Sequence, residues 1–403
     1  MEIAEEKWIC CQIGARERYA VARALHQHRA LDLLLTDAWV RPQSLLGILK
    51  PGLRARFHPD LAAANVYAPG GANIAFELRS KLAHLHNWSL IIARNDWFQK
   101  TAVARLSRVE AARTSKVVMA YSYAALEIFR FARARGWHTV LGQIDPGPLE
   151  ERIVAKLYEK DFDQRGRWQP TPPQYWSRWR KECELADRIV VNSLWSHAAL
   201  VEEGVPAAKI KFVPLAYDEP KAFDIFQRKY PGAFSRSRPL RVLFLGQINL
   251  RKGMGPLLEA IRLLRGEPIE FSLVGSIQIT VPPDLRDDPQ VHWVGSVSNE
   301  KTARFYRDAD IFIFPTFSDG FGLTQLEAQA WKLPIVTTKF CGDVVEDGRN
   351  GCILTEVTSC AIAATLRRFL ADSAWLQKLS DNSALSESFS LNRIGEQWLH
   401  VFD

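Results

Sequence analysis

The segment "IFIFPTFSDGFGLTQLEAQAWKLPIVTT", residues 311–338, has the order of a strand, a glycine turn, a helix and a second strand. The apolar runs at its two ends have the length and continuous apolarity of strands that are buried on both faces. Gly320 and Gly322 permit a tight turn between the first strand and the helix. A strand, a helix and a strand in this order are the repeating unit of a parallel sheet, so the segment predicts an α/β fold.

The same alternation of apolar runs and helical patterns extends over the whole chain. In the N-terminal half, six runs predict strands at residues 8–13, 31–37, 90–94, 116–121, 138–143 and 188–193. In the C-terminal half, six more predict strands at residues 241–246, 269–275, 291–295, 311–315, 334–338 and 351–355. Between the two series, the polar residues 219–240, with Pro231, Gly232 and Pro239, indicate a linker.

We therefore predict two Rossmann-like, doubly wound parallel-sheet domains that face each other across a cleft. A chain of 403 residues exceeds the roughly 250–300 residues at which one hydrophobic core stops growing. The predicted units are an N-terminal domain at 1–218, the linker 219–240, a C-terminal domain at 241–385, and a C-terminal helix within 386–403 that can pack back on the N-terminal domain. Because ligands bind at the carboxyl ends of the strands in such sheets, the cleft is the predicted site.

The composition is that of an ordinary soluble globular protein, with 47% hydrophobic and 24% charged residues. No apolar run reaches the roughly 18 residues of a membrane helix, and the acidic start "MEIAEEKWICC" lacks the pattern of a signal peptide. We therefore expect a cytoplasmic protein. The six cysteines do not have the spacing of a metal site, so we predict neither a bound metal nor a disulfide framework.

The charge is unevenly distributed. Residues 1–238 contain 36 Lys and Arg against 25 Asp and Glu, a net charge of +11, whereas the remainder contains 16 against 20, a net charge of −4. A basic half suits an anionic partner such as a membrane surface, a polyphosphate ligand or a nucleic acid. No nucleic-acid recognition module is evident, so we expect no nucleic-acid partner.

A basic turn follows the first predicted strand of the C-terminal half. Gly246 ends that strand, and Arg251 and Lys252 come just before the next helical pattern. Since the N-terminus of a helix favours anions, cations at this point suit phosphate oxygens. For these residues alone, a solvated basic turn is an equally good interpretation.

Two acidic residues, Asp319 and Glu327, flank the glycine turn of the opening segment. The glycines let the backbone approach a ligand, and the amides of Gly322, Leu323 and Thr324 can face a phosphate. The two carboxylates can accept hydrogen bonds from hydroxyls. A nucleotide-sugar, which carries a diphosphate and several hydroxyls, is the most economical candidate; a capped helix with two surface acids remains the alternative.

Several ordered blocks resemble the retaining glycosyltransferases of family 4, which have the GT-B fold. They are "LGQINLRKGMGPLLEA" (245–260), residues 291–338 including the opening segment, "CGDVVEDGRNGCIL" (341–354) and, more loosely, residues 186–218. The resemblance implies transfer of a sugar from a nucleotide-sugar to a hydroxyl of a glycan or lipid-linked saccharide. It also implies that the reaction needs no cofactor or metal, and that Lys, Arg and a helix N-terminus stabilise the departing diphosphate.

The resemblance also implies roles for individual residues. Lys252 would bind the diphosphate, Glu327 the ribose hydroxyls, and Asp319 the hydroxyls of the transferred sugar, which makes these three the candidate catalytic residues. Asp145 would lie on the acceptor side, near the reacting sugar. The full donor-binding set is Gly14, Gly246, Gln247, Arg251, Lys252, Gly320, Phe321, Gly322, Leu323, Thr324 and Glu327.

Three residues depart from the family pattern. Asp319 stands where the family has glutamate, Gln247 where it has an arginine that binds phosphate, and Lys332 where it has a glycine. These departures leave open a weak or inactive transferase-like scaffold that binds nucleotide or glycan. A nucleotide-sugar epimerase or a glycan phosphorylase on the same scaffold is a further alternative, although no motif marks the cofactor lysine that a phosphorylase needs.

Two segments of the N-terminal half are candidates for contact with the acceptor. Residues 41–59 are basic with an apolar face and can lie on an anionic membrane, at the inner membrane face, or form an ordinary surface excursion. Residues 163–182 contain Trp168, Trp176 and Trp179, which can stack on sugar rings or simply anchor a loop.

Overall fold

The computed structural model describes residues 6–44, 47–48, 51–109, 116–161, 164, 168–218 and 226–403. These residues form a seven-stranded and a six-stranded sheet, and each sheet carries helices from its own half of the chain. The predicted α/β class with two doubly wound parallel sheets is confirmed.

The first sheet takes its strands from residues 7–212. They are β1 (Lys7–Gln12), β2 (Leu31–Thr36), β3 (Val66–Tyr67), β4 (Lys116–Tyr121), β5 (His138–Gln143), β6 (Arg188–Val191) and β7 (Ile210–Phe212). The helices of this half are α1 (Ala20–Gln27), α2 (Gly70–Leu82), α3 (Asn87–Leu106), α4 (Leu126–Ala134), α5 (Pro148–Lys160), α6 (Pro173–Leu185) and α7 (Leu194–Glu202). Short 3-10 turns lie at Arg16–Tyr19, Pro51–Arg56, Pro59–Leu61 and Ala207–Lys209.

The second sheet takes its strands from residues 240–354. They are β8 (Leu240–Leu245), β9 (Ile269–Val274), β10 (Val291–Gly295), β11 (Ile311–Ile313), β12 (Ile335–Thr338) and β13 (Gly351–Leu354). The helices of this half are α8 (Met254–Leu263), α9 (Pro283–Arg286), α10 (Asn299–Asp308), α11 (Thr324–Ala330), α12 (Ser359–Ala371) and α13 (Ser373–Asp381). The last helix, α14 (Leu391–Leu399), packs with the first sheet. Two 3-10 turns lie at Leu250–Lys252 and Glu387–Phe389.

The order of the strands fixes where a ligand can bind. The orders are β3-β2-β1-β4-β5-β6-β7 and β10-β9-β8-β11-β12-β13, and the pairs are parallel. The direction of winding reverses between β1 and β4 in the first sheet, and between β8 and β11 in the second. In doubly wound sheets the ligand crevice lies at the carboxyl ends of the strands beside such a reversal. The loops after β1, β8 and β11 lie beside these reversals, and they carry most of the candidate residues.

The two adjacent cysteines of β1 show how the first sheet is buried on both faces. Cys10 packs with Trp8 and Leu34 in one apolar cluster, and Cys11 packs with Ile9 in the cluster on the opposite face. Both thiols are buried and free, and burial raises the pKa of Cys10 to about 12. Both thiols therefore stay protonated and act as small apolar side chains.

The strand predicted at residues 90–94 is wrong, because these residues lie inside helix α3. The apolar run "LIIA" has strand length, but it is part of a twenty-residue helix that begins after His86, where the Ser89 side chain caps the first turn. A short apolar run does not by itself distinguish a strand from a buried helical segment. The sequence also gave no signal for β3 and β7, which have only two and three residues.

The end of the chain returns to the first sheet. Trp398 of α14 contacts Trp8 edge-to-face with 6.2 Å between ring centroids, and Arg188 Nε donates to the Val401 carbonyl at 3.1 Å. Gly395 lies so close to His28 that an added Cβ would be 2.5 Å from that ring. These contacts hold the last helix on the N-terminal half, while the exact domain boundaries stay predictions. Among the described residues, no helix has the length and apolarity needed to span a bilayer.

Candidate functional site

A cleft of about 420 Å³ lies where the carboxyl ends of the two sheets face each other. Residues of both halves line it: Ile13, Arg16, Glu17, Ile144, Asn192 and Leu215 from the first, and Asp319, Phe321, Gly322 and Leu323 from the second. Four residues of the predicted site therefore line one cavity, and the predicted cleft between two domains is present.

The two halves approach each other closely at the glycine turn after β11. A Cβ on Gly320 would overlap the Ile144 carbonyl and come within 3.2 Å of Asp145 Cα. Gly322 has a φ of 82°, a left-handed conformation that glycine adopts without strain. Both glycines were predicted to permit the approach of a ligand; at Gly320 the structure shows close approach of the other domain.

The basic turn after β8 places both of its cations beside carboxylates. The Lys252 ammonium is buried and pairs with Asp319, and it also lies 4.7 Å from the centre of the Phe314 ring. Arg251 donates to the Ser318 carbonyl at 2.9 Å and to Glu150 at 3.3 Å. Burial and the neighbouring Arg251 charge lower the pKa of Lys252. The turn is therefore not a solvated one.

Glu150, which no sequence motif marks, connects the two halves. It lies in the first turn of α5 and accepts hydrogen bonds from Arg251 and, at 2.8 Å, from the Ser318 hydroxyl. Burial raises its pKa, and the Arg251 charge opposes that shift. A glutamate at the start of a helix reads as an ordinary surface residue, so only the packing of the domains reveals this role.

Asp319 is the point where the basic turn meets the cleft. Its carboxylate pairs with Lys252, lies 3.7 Å from Arg251, and faces the cavity, while its backbone amide donates to the Phe340 carbonyl at 2.9 Å. One acidic side chain therefore contacts two cations at the edge of the open space. The structure thus brings Asp319 and Lys252 together as one charged unit, 67 residues apart in sequence.

Glu327 lies one turn into α11, and the Tyr306 hydroxyl donates to its Oε2 at 2.6 Å. Burial raises the pKa of Glu327, while the Tyr306 hydrogen bond and the Arg18 charge lower it. Arg18 belongs to the opposite half, so both halves contribute to the electrostatics around this carboxylate.

A left-handed turn follows β1 on the opposite wall of the cleft. Glu17, Arg18 and Tyr19 have φ values of 50°, 52° and 62°, a conformation that costs about 1–2 kcal/mol for each residue other than glycine. The Glu17 carboxyl lines the cleft and accepts a hydrogen bond from Tyr121 at 3.3 Å. Burial raises the pKa of Glu17. No glycine marks this turn in the sequence, so reasoning from residue types could not have found it.

The other predicted donor-binding residues are close in sequence to residues that line the cleft, but they do not line it themselves. The Gly14 amide donates to Asp37 at 2.8 Å, and Asp37 also binds Arg56. Gln247 is exposed at the end of β8. Six further predicted residues do not border the 420 Å³ cavity: Gly246, Arg251, Lys252, Gly320, Thr324 and Glu327.

Asp145 lies in a second, aromatic pocket of about 200 Å³ beside the basic turn. Its carboxylate accepts hydrogen bonds from the Tyr123 hydroxyl and the Gly147 amide. The pocket is lined by the aromatic residues Trp88, Tyr123, Trp168, Tyr175 and Trp176, by Asp145, Glu150 and Glu151, and by Gly147, Val154, Thr171 and Arg251. The walls thus combine flat rings with carboxylates and reach the basic turn through Arg251.

The three tryptophans of residues 163–182 have different environments. Trp168 and Trp176 line the aromatic pocket. Trp179 is fully buried, and its indole N–H donates to Gln143 at 3.0 Å, so its ring is part of the core and cannot stack on a sugar. Residues 163 and 165–167 of this segment lie outside the described part of the chain.

Gly253 holds the basic turn against the loop after β11, which gives a stability prediction. Its φ is 78°, and an added Cβ would overlap the Pro315 carbonyl oxygen. We expect Gly253→Ala to lower the free energy of unfolding by about 2–3 kcal/mol, from left-handed strain and overpacking. Gly255→Ala is the matched control, because nothing lies within 4 Å of its added Cβ and alanine favours the helix. Urea denaturation measures both; equal stabilities would contradict the observed packing.

Solved structures share this architecture. HepE of Anabaena, solved in complex with UDP and glucose, superposes with a TM-score of 0.62 at 15% identity, over 98% of this chain and 99% of that one. Sucrose-phosphate synthase of Thermosynechococcus elongatus gives a TM-score of 0.64 at 16% identity, over 98% of both chains. The fold is therefore the two-domain α/β fold of GT-B glycosyltransferases.

Sequence comparisons agree with the fold for the C-terminal half. Residues 239–372 match the family model described as glycosyl transferases group 1. The amylovoran biosynthesis glycosyltransferase AmsK of Erwinia amylovora is 28% identical over 195 residues, 45% of this chain and 46% of that protein. The D-inositol 3-phosphate glycosyltransferase of Arthrobacter sp. (strain FB24) is 32% identical over 127 residues, 28% of this chain and 30% of that protein. The matched region spans less than half of each of these relatives.

Proposed function

We propose that this protein is a glycosyltransferase that moves a sugar from a nucleotide-sugar to a hydroxyl acceptor. The observation that carries the proposal is the charged unit at the edge of the cleft, where Asp319 lines the cavity and contacts buried Lys252 and half-buried Arg251. The match of residues 239–372 to group 1 glycosyl transferases and the UDP and glucose found with HepE support this choice.

The donor would bind on the C-terminal side of the cleft. Arg251 and Lys252 would contact the diphosphate, Glu327 the ribose hydroxyls, and Asp319 the transferred sugar. The remaining donor contacts would come from the residues Gly14, Gly246, Gln247, Gly320, Phe321, Gly322, Leu323 and Thr324. In the structure, Asp319 and Glu150 balance the two cations. An arriving diphosphate replaces part of that negative charge, which favours the charged form of Lys252.

The proposed reaction follows from charge. The bond between the anomeric carbon and the diphosphate oxygen breaks, and the sugar develops oxocarbenium character. The acceptor oxygen bonds to that carbon on the face from which the diphosphate leaves, and its proton passes to a diphosphate oxygen. Cations that are already in place stabilise the departing charge without reorganisation. We propose this retaining reaction, which the resemblance to family 4 implies, without a metal or a cofactor.

The acceptor would occupy the aromatic pocket. Tyr123 and Tyr175 stack with 4.8 Å between ring centroids, and Trp176 and Trp168 complete an aromatic wall. Aromatic faces pack against the apolar faces of sugar rings, while carboxylates such as Asp145 accept their hydroxyls. Arg251 borders this pocket and contacts Asp319. A glycan or lipid-linked saccharide in the pocket would thus reach the transferred sugar.

A donor screen tests the proposed function. The protein is incubated with single UDP-, GDP- and ADP-sugars, and the melting temperature and nucleotide release are measured with and without saccharide acceptors. We expect one donor class to raise the melting temperature and to release nucleotide when an acceptor is present. Binding without turnover for every acceptor would favour the scaffold alternative, and absence of binding by any donor would contradict the proposal.

The location of the protein in the cell is also a proposal. We propose a cytoplasmic protein in peripheral contact with the inner membrane face through residues 41–59. The described residues there include exposed Arg41, Ile48 and Arg54, whereas Leu45, Leu46, Leu49 and Lys50 lie outside the described part of the chain.

A further inference from the structure

Helix α2 exposes a stripe of large aliphatic side chains. Ile74, Leu78 and Leu82 are 51%, 57% and 81% exposed. Residues four apart lie on one face of a helix, so the three form a continuous strip along α2. Single exposed apolar residues are normal on a protein surface, whereas a continuous apolar strip marks an interaction site.

The stripe is not a core face that lacks its partner, because α2 already packs on α3 through other residues. The rings of Phe76 and Trp97 stack with 5.1 Å between centroids, and Arg94 pairs with Glu77 at 2.8 Å. Helix α2 therefore has a packed face and a separate apolar face that points outward.

Exposed apolar side chains are concentrated in this part of the molecule. Among the described residues, ten large hydrophobic side chains are exposed, and five of them lie between residues 48 and 91. They are Ile48, Ile74, Leu78, Leu82 and Ile91. The other five are distributed over residues 194–277. The exposure of the α2 stripe is thus a local property of this region.

The same region carries the net charge of the chain. Residues 41–109 contain ten Lys and Arg against three Asp and Glu, a net charge of +7, which equals the net charge of the whole chain. The rest of the chain has 42 basic and 42 acidic residues and is neutral. Arg79 and Lys81 are exposed on α2 itself, on either side of the stripe. A partner for this surface must therefore combine an apolar phase with negative charge.

We propose that α2 lies in the interface of an anionic lipid bilayer, with Ile74, Leu78 and Leu82 inserted among the acyl chains and Arg79 and Lys81 at the headgroups. An aliphatic helix face flanked by basic residues has the chemistry of an interfacial helix. The negative surface potential of an anionic leaflet strengthens binding about fivefold for each basic residue near the surface. The proposal adds α2 to the membrane contact proposed for residues 41–59, and it does not depend on the proposed transferase activity.

Vesicle sedimentation of the full chain tests the proposal. One set of vesicles contains phosphatidylcholine alone, and the other contains phosphatidylcholine with phosphatidylglycerol. We expect the wild type to sediment with the anionic set, and the Leu78→Glu, Leu82→Glu double variant to bind it at least about tenfold more weakly, since two carboxylates enter an apolar phase. The matched control is Leu263→Glu on α8, where Leu263 is 47% exposed on the other half and should leave binding unchanged.

Circular dichroism melting confirms that each variant is folded, which is expected because all three leucines are exposed. Arg79→Ala with Lys81→Ala should weaken binding to anionic vesicles at low salt, and raising the salt should reduce the difference from wild type. The proposal is overturned if wild type stays in the supernatant with both vesicle sets, which would assign the stripe to a protein partner. It is also overturned if the double leucine variant binds anionic vesicles as wild type does.

Discussion

Lys252→Ala is expected to lower turnover of the proposed transferase about 10²–10³-fold, as removal of one electrostatic donor does at other sites. Lys252 is buried beside Asp319 and Phe314, so its charge acts in a region with little water. An interaction there is stronger than in water and needs no rearrangement when the diphosphate leaves. The measurement is the rate of nucleotide release at saturating donor and acceptor.

The control for this prediction is Lys378→Ala, which removes an exposed lysine of α13 and should leave turnover unchanged. Lys252→Ala also leaves Asp319 without its partner, so the melting temperature of each variant is measured first. Lys252→Arg retains the charge in a larger side chain and should recover part of the loss. Turnover of folded Lys252→Ala within twofold of wild type would remove Lys252 from the reaction.

Glu327→Ala is expected to weaken donor binding about 100-fold or more. A hydrogen bond to a charged group contributes about 1.5–3 kcal/mol, and the proposed ribose contact uses two hydroxyls on one carboxylate. Tyr306 holds Oε2 of that carboxylate at 2.6 Å, so the group is oriented before the donor arrives. Titration calorimetry with the preferred donor measures the dissociation constant.

Two further variants test whether the loss of donor binding is specific to the Glu327 carboxylate. Tyr306→Phe keeps the carboxylate but removes its orienting hydroxyl, so it should weaken donor binding less than Glu327→Ala does. Glu356→Ala removes an exposed glutamate and should have no effect. Because burial raises the pKa of Glu327, donor affinity should decline on acidification at a higher pH than for an exposed glutamate. Normal donor affinity in folded Glu327→Ala would show that the ribose binds elsewhere.

The strands of the second sheet were predictable because each contains a short run of mainly apolar residues between turns. β8 reads "LRVLFL", and β11 and β12 are the two ends of the opening segment. Burial on both faces produces such runs directly. Residues 90–94 show the limit of this rule, since an apolar run inside a long helix has the same composition as a strand.

The charged unit of the cleft was predictable only in part. Motif spacing singled out Arg251, Lys252 and Asp319, which the structure brings into contact. Glu150 was not predictable, because its partners lie on the other half and depend on how the domains pack. The left-handed turn at Glu17 was not predictable either, because its conformation is imposed by tertiary packing on residues that do not favour it.

The departure at Asp319 has a structural consequence. In this chain the shorter acid pairs with Lys252 and faces the cleft at the same time. A side chain shortened by one methylene holds its carboxylate nearer the backbone of the glycine turn. We therefore expect donor preference, rather than donor binding itself, to depend on this residue.

The central claim is that Lys252 and Arg251 bind the diphosphate of the donor in the cleft between the two sheets. A crystal structure with UDP or GDP, chosen by the donor screen, tests it most directly. The account predicts β-phosphate oxygens within about 2.7–3.2 Å of Lys252 Nζ, with Asp319 no longer its sole anionic partner. A nucleotide whose diphosphate lies elsewhere, with the Lys252 and Asp319 pair intact, would contradict it.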